Sequence, residues 1–103
     1  MKESKKYQLQ DLIEKIDKVD NMVKLHSGNP SKFMLEQYEA KKEKFLGYLI
    51  QELIDAKVRS PYSFWLIFLA LKKYYPEILN PQDQSLLNDK HYKELMPLEN
   101  GLV

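Results

Sequence analysis

The longest apolar run of this chain is FWLIFLAL at residues 64–71, set in a sequence rich in lysine and glutamate. A helix built from such a run has no polar side, so other elements must cover it all round. A chain of 103 residues offers only a few further helices for this purpose. What covers this run is therefore the main question that the sequence raises about the fold.

Helix signals border the apolar run on both sides. Ser60 is a natural N-cap with Pro61 at the first helical position, and Pro76 cannot continue a helix. The pattern predicts an apolar helix over 61–75, about 22 Å long against roughly 30 Å of hydrocarbon in a bilayer. We expect a buried core helix, not a membrane span.

A helical hairpin is predicted for residues 7–57, before the apolar helix. Apolar residues recur every three or four positions through 7–25, as in a helix that packs on one partner. Gly28 favours a left-handed turn after this helix, and Asn29 caps a second helix that begins at Pro30. Two helices joined by so short a connection are antiparallel neighbours.

The second helix of the hairpin has a narrow apolar stripe in its first half and a broad one in its second. We expect the broad half to contact both the first helix and the apolar helix. Gly47 lies inside this helix, where glycine costs about 1 kcal/mol relative to alanine. The sequence therefore predicts that another backbone approaches closely at Gly47.

The tail, residues 77–103, carries weaker signals. Asn80 and Pro81 repeat the cap-and-proline start, and Leu87, His91 and Leu95 follow at four-residue spacing. We predict a short helical tail that frays after Pro97. The expected fold is all-α, a single small domain made of the antiparallel hairpin, the buried third helix and this tail.

The composition argues against most catalytic and ligand-binding functions. The net charge of +1 gives no overall field to attract nucleic acid, and the lack of cysteine excludes disulfides and thiolate sites. His26 and His91 stand far apart without further ligands nearby, so we expect no metal. The glutamates of the second helix alternate with lysines, as on a solvated face. We therefore predict no catalytic residue, no cofactor and no enzymatic activity.

The aromatic residues around the apolar helix favour protein–protein contact, because aromatic side chains with polar ends are enriched at interfaces. We expect a homodimer, an adaptor or a regulatory subunit in the cytoplasm, since residues 1–8 show no secretory signal. The candidate interface residues are Tyr62, Trp65, Phe68, Leu69, Tyr74 and Tyr75.

Two alternative functions remain open from the sequence. A nucleic-acid-associated regulatory protein would use the lysine clusters Lys41, Lys42, Lys44, Lys72 and Lys73 for phosphate contact. A small apolar ligand would bind between the third helix and the hairpin, in a pocket lined by Tyr38, Trp65 and Phe68.

The burial of the apolar helix is testable by one substitution. If Trp65 is a core residue, Trp65→Ala lowers the free energy of unfolding by about 3–5 kcal/mol in a denaturant titration. A loss below about 1 kcal/mol would place Trp65 on the surface.

Overall fold

A computed structural model describes residues 3–28, 32–79 and 90–102 of the chain. Within these ranges all regular structure is helical, which confirms the all-α prediction. Helix α1 spans Glu3–His26, α2 Lys32–Leu53, α3 Pro61–Tyr74 and α4 Tyr92–Leu102, and a short 3₁₀ helix covers Pro76–Leu79. The chain divides into two compact units, Met1–Phe68 and Leu69–Val103.

Helices α1 and α2 form the predicted antiparallel hairpin, which is confirmed. Its core comes from regularly spaced residues of both helices. Ile16 is completely buried on α1, and three leucines of α2 follow one another at intervals of three and four residues. The buried apolar side chains of the hairpin are Leu9, Ile16, Leu46, Leu49 and Leu53. This is the packing of one apolar stripe on another.

A buried ion pair lies within the same packed stripe. Asp20 of α1 and Lys42 of α2 are only 6% and 8% exposed, and Lys42 Nζ lies 2.9 Å from Asp20 Oδ1. Lys24 Nζ approaches the other carboxylate oxygen of Asp20 at 3.3 Å. Asp20 lies four residues after Ile16, and Lys42 lies four residues before Leu46. The pair therefore occupies one layer of the hairpin interface.

Further contacts support the antiparallel register at both ends of the hairpin. Lys5 near the start of α1 forms an ion pair with Glu52 near the end of α2. His26, the last residue of α1, stacks on Tyr38 with ring centroids 5.4 Å apart. Residues near the start of α1 thus contact residues near the end of α2, and the reverse holds at the other end, as in an antiparallel pair.

Two details of the hairpin differ from the sequence prediction. Gly28 does not adopt a positive φ, so it supplies no left-handed turn. Helix α2 ends at Leu53 and not at Lys57, because Asp55 closes a turn there: Lys57 N–H donates to Asp55 Oδ1 at 2.9 Å, and Arg59 N–H donates to the Asp55 carbonyl. Asn29 and Pro30, predicted to start the second helix, lie outside the described residues.

The start of α3 agrees with the Ser60–Pro61 signal. Ser63 completes it: Ser60 N–H donates to Ser63 Oγ at 3.2 Å, and the Ser63 hydroxyl donates to the Val58 carbonyl at 3.3 Å. Ser63, the third residue of α3, thus hydrogen-bonds the backbone that precedes the helix, as the third residue of a capping box does.

The prediction that α3 is buried is wrong for the single chain. Five of its large apolar side chains are 38–64% exposed. Among the described residues, α1 and α2 make the one extensive helix–helix contact. The apolar run is covered on one side only.

Helix α4 continues through Pro97 to Leu102, beyond the point where the chain was predicted to fray. None of its residues is buried. His91 lies just before the helix, with Nδ1 3.6 Å from Glu94 Oε2. Leu87 and the Asn80–Pro81 signal fall outside the described residues.

We predict that Lys42→Met lowers the free energy of unfolding of the hairpin by about 2–4 kcal/mol, because it leaves the Asp20 carboxylate buried without its closest partner. The double variant Asp20→Leu/Lys42→Met recovers most of this loss, since no charge then remains buried. Lys15→Met serves as the control, because the Asp11–Lys15 pair is exposed; its cost is below about 0.5 kcal/mol. Equal losses for Lys42→Met and Lys15→Met in urea titrations would contradict the assignment.

Among the described residues no other backbone approaches Gly47 closely, since a Cβ atom added there meets nothing within 4 Å. The expectation from the sequence is therefore wrong. Gly47→Ala should raise the free energy of unfolding by about 0.5–1 kcal/mol through helix propensity alone. The reverse exchange at Ala40, an exposed position seven residues earlier, should cost a similar amount. A destabilising Gly47→Ala would show that something does pack at this site.

Candidate functional site

Helix α3 has two distinct sides. Its inner face consists of Ser63, Ile67, Ala70 and Tyr74, spaced by four, three and four residues. Ser63 and Tyr74 are buried, at 4% and 3% exposure, and the other two are half-buried. This spacing is that of a single helix face, so α3 already uses this side for packing.

The outer face of α3 is apolar and open to solvent. It consists of Tyr62, Phe64, Trp65, Phe68 and Leu69. The rings of Trp65 and Phe68 stack on each other, with centroids 5.6 Å apart and planes at 22°. These two side chains thus form one continuous aromatic surface, about half of which is accessible.

Exposing the apolar outer face of α3 to water is costly in free energy. Four aromatic side chains of about 150–250 Å² each, exposed to roughly half, together with Leu69 amount to about 500 Å². The largest apolar patch of a typical monomer is about 300–600 Å² and is often functional. The outer face therefore lies at the upper end of what a monomer leaves uncovered.

The stretch of sequence that contains α3 carries only positive charge between Asp55 and Glu77. From Ala56 to Pro76 the sequence contains Lys57, Arg59, Lys72 and Lys73 and no acidic residue. All four cations are exposed. Lys72 follows Trp65 by seven residues, so it continues the outer face toward the end of the helix. The site is an aromatic surface with cations at both ends.

Four of the six predicted interface residues belong to this outer face: Tyr62, Trp65, Phe68 and Leu69. The other two do not. Tyr74 is buried on the inner face, and Tyr75 is half-buried with its N–H donating to the Leu71 carbonyl at 2.8 Å. The helical period places Tyr74 opposite Trp65, which a simple grouping of aromatics along the sequence overlooked. Phe64 was missed as an exposed residue because it was assigned to the core.

The predicted nucleic-acid residues are not one surface. Lys42 is buried against Asp20, so its interpretation as part of a solvated face is wrong. Lys41 Nζ lies 5.8 Å from the ring centroid of Tyr38, and Lys44 Nζ lies 5.8 Å from that of Tyr48. Lys72 and Lys73 are exposed at the last turn of α3, where Lys73 Nζ lies 5.3 Å from the Tyr74 ring.

The predicted ligand-pocket residues form two separate ring pairs. Tyr38 stacks on His26 in the hairpin, whereas Trp65 and Phe68 stack on each other in α3. Two open grooves of about 340 and 410 Å³ lie on the hairpin around Tyr48 and Gln51, and neither includes the three predicted residues.

The described residues contain no group of three or more side chains arranged to hold a metal ion. In the same part of the chain, no helix is both long and apolar enough to cross a membrane. No protein-family model matches the sequence, and no curated protein or solved structure is significantly similar to it.

The structure changes the expected outcome for Trp65→Ala. Because Trp65 is 50% exposed, its removal should cost about 1 kcal/mol, well below the 3–5 kcal/mol of a core tryptophan. Ile16→Ala is the matched core control, since this side chain is completely buried; it should cost about 2–5 kcal/mol. Equal losses for the two variants would show that α3 is covered in solution.

Proposed function

We propose that this protein acts without catalysis, by binding another protein surface through the outer face of α3. The observation that carries the proposal is the stacked, half-exposed pair of Trp65 and Phe68 within a run of exposed apolar side chains. Aromatic residues are enriched at protein interfaces and dominate their energetics, because they bury a large area at low cost in side-chain entropy.

The stability of the hairpin supports a division of roles within the first unit. The packed stripes and the ion pairs of the hairpin lie between α1 and α2. The outer face of α3 adds nothing to that core, yet it retains Phe64, Trp65 and Phe68, which are costly to expose. The presence of these side chains on the surface is explained if they become buried in a complex with another protein.

A cytoplasmic location is part of the proposal. It is supported by the lack of cysteine, which suits a reducing compartment.

Site-specific photo-crosslinking in the cells that express the protein tests this function. A p-benzoylphenylalanine at position 68 should form a covalent adduct with a protein. The matched control is the same residue at position 33, because Phe33 is also exposed but belongs to α2. Trp65→Ser/Leu69→Ser should abolish the adduct from position 68 while circular dichroism shows an unchanged helix content. Equal adducts at positions 68 and 33, or none at 68, would contradict the proposal.

A further inference from the structure

Helix α4 carries a second uncovered apolar face. Leu95, Leu98 and Leu102 recur at intervals of three and four residues, and each is more than half exposed. Met96 is 46% exposed. A helix with such a stripe and no buried residue gains its stability by packing on something else, because isolated helices of about 12 residues are marginal in water.

The charges beside this leucine stripe are acidic. At about 3.6 residues per turn, Glu94 and Glu99 lie on the two borders of the stripe, whereas Lys93 lies on the opposite side of the helix. Both glutamates are exposed. The stripe of α4 is thus bordered by acids, whereas the cation Lys72 continues the outer face of α3 and Arg59 lies two residues before this helix.

We propose that the outer face of α3 binds the leucine stripe of α4 from a second copy of the chain, so that two copies form a reciprocal dimer. This inference rests on the proposed function and names its partner. Carboxylates bordering one apolar surface and cations bordering the other set orientation and suppress wrong partners.

Pairing of α3 with the α3 helix of a second copy is disfavoured by charge. An antiparallel pair places Lys72 of each copy near Arg59 of the other, and a parallel pair places the two Lys72 side chains together. Like charges face each other in both arrangements. The α4 stripe offers the opposite charge, so it fits the outer face better than α3 itself does.

The area of the two faces also favours this arrangement. The outer face of α3 alone buries about 500 Å² per copy, or about 1,000 Å² in a dimer, at the lower limit of specific interfaces. The α4 stripe adds on the order of 300 Å² per copy. Together they reach about 1,600 Å², the size typical of a stable, specific complex.

A charge-exchange experiment on the full chain tests the dimer. By light scattering the natural chain should have twice the chain mass at high micromolar concentration. Two variants should each be monomeric there, with dimerisation at least about tenfold weaker: Arg59→Glu/Lys72→Glu makes α3 acidic, and Glu94→Lys/Glu99→Lys makes α4 basic. Lys18→Glu/Lys32→Glu is the control, because it changes the charge of the hairpin surface equally; it should remain dimeric.

Mixing the two variants is the decisive step. The acidic α3 of one variant then meets the basic α4 of the other, and the two unaltered helices also carry opposite charges. An equimolar mixture should therefore restore a dimer that contains one copy of each variant, identified by native mass spectrometry. Circular dichroism of each variant verifies that its helices form.

Several results would overturn the inference. A monomeric natural chain at high micromolar concentration excludes the second copy, whereas the proposed function survives if the adduct at position 68 contains a different protein. A dimer that tolerates either charge reversal uses another surface. Failure of the mixture to restore the dimer excludes the α3–α4 contact. A monomer that sediments with phosphatidylserine vesicles through Trp65 assigns the outer face to a lipid surface.

Discussion

The packing of α1 against α2 is the interaction on which the rest of the described structure depends. It buries Ile16 completely and places Leu46, Leu49 and Leu53 in one stripe. Because side chains on one helix face recur every three or four residues, a single stripe on each helix is enough to hold two long helices together. The outer face of α3 is exposed and takes no part in this core, so it is available for another purpose.

The Asp20–Lys42 ion pair fixes the register in which α1 and α2 pack. A shift of one helix turn along α2 would separate Lys42 from Asp20, leaving the buried lysine unpaired and the buried carboxylate with Lys24 alone. That cost exceeds the gain of most apolar contacts, although the pair in its correct register contributes little net stability. The ion pair therefore explains why the two stripes pack in one alignment, whereas the leucines explain why they pack at all.

Much of the local structure follows from the sequence, because it depends on neighbours along the chain. The start of α3 at Ser60 and Pro61 and its end before Pro76 follow from capping and from the fixed φ of proline. The antiparallel hairpin follows from two periodic stripes and a short connection. The end of α2 at Leu53 was harder to predict from the sequence, because the side chain of Asp55 closes a turn that competes with continuation of the helix.

Burial, in contrast, depends on what lies opposite each side chain, and the tertiary structure alone decided it. The sequence determined that residues 64–71 form an apolar helix, and its composition predicted that other elements cover this helix all round. The structure showed that this cover reaches only the inner face, so that Trp65 and Phe68 face solvent while Tyr74 is buried. It also showed that Lys42, unlike its neighbours Lys41 and Lys44, lies buried inside the hairpin. No local pattern distinguishes these cases, because partners distant in the sequence determine which side of a helix is covered.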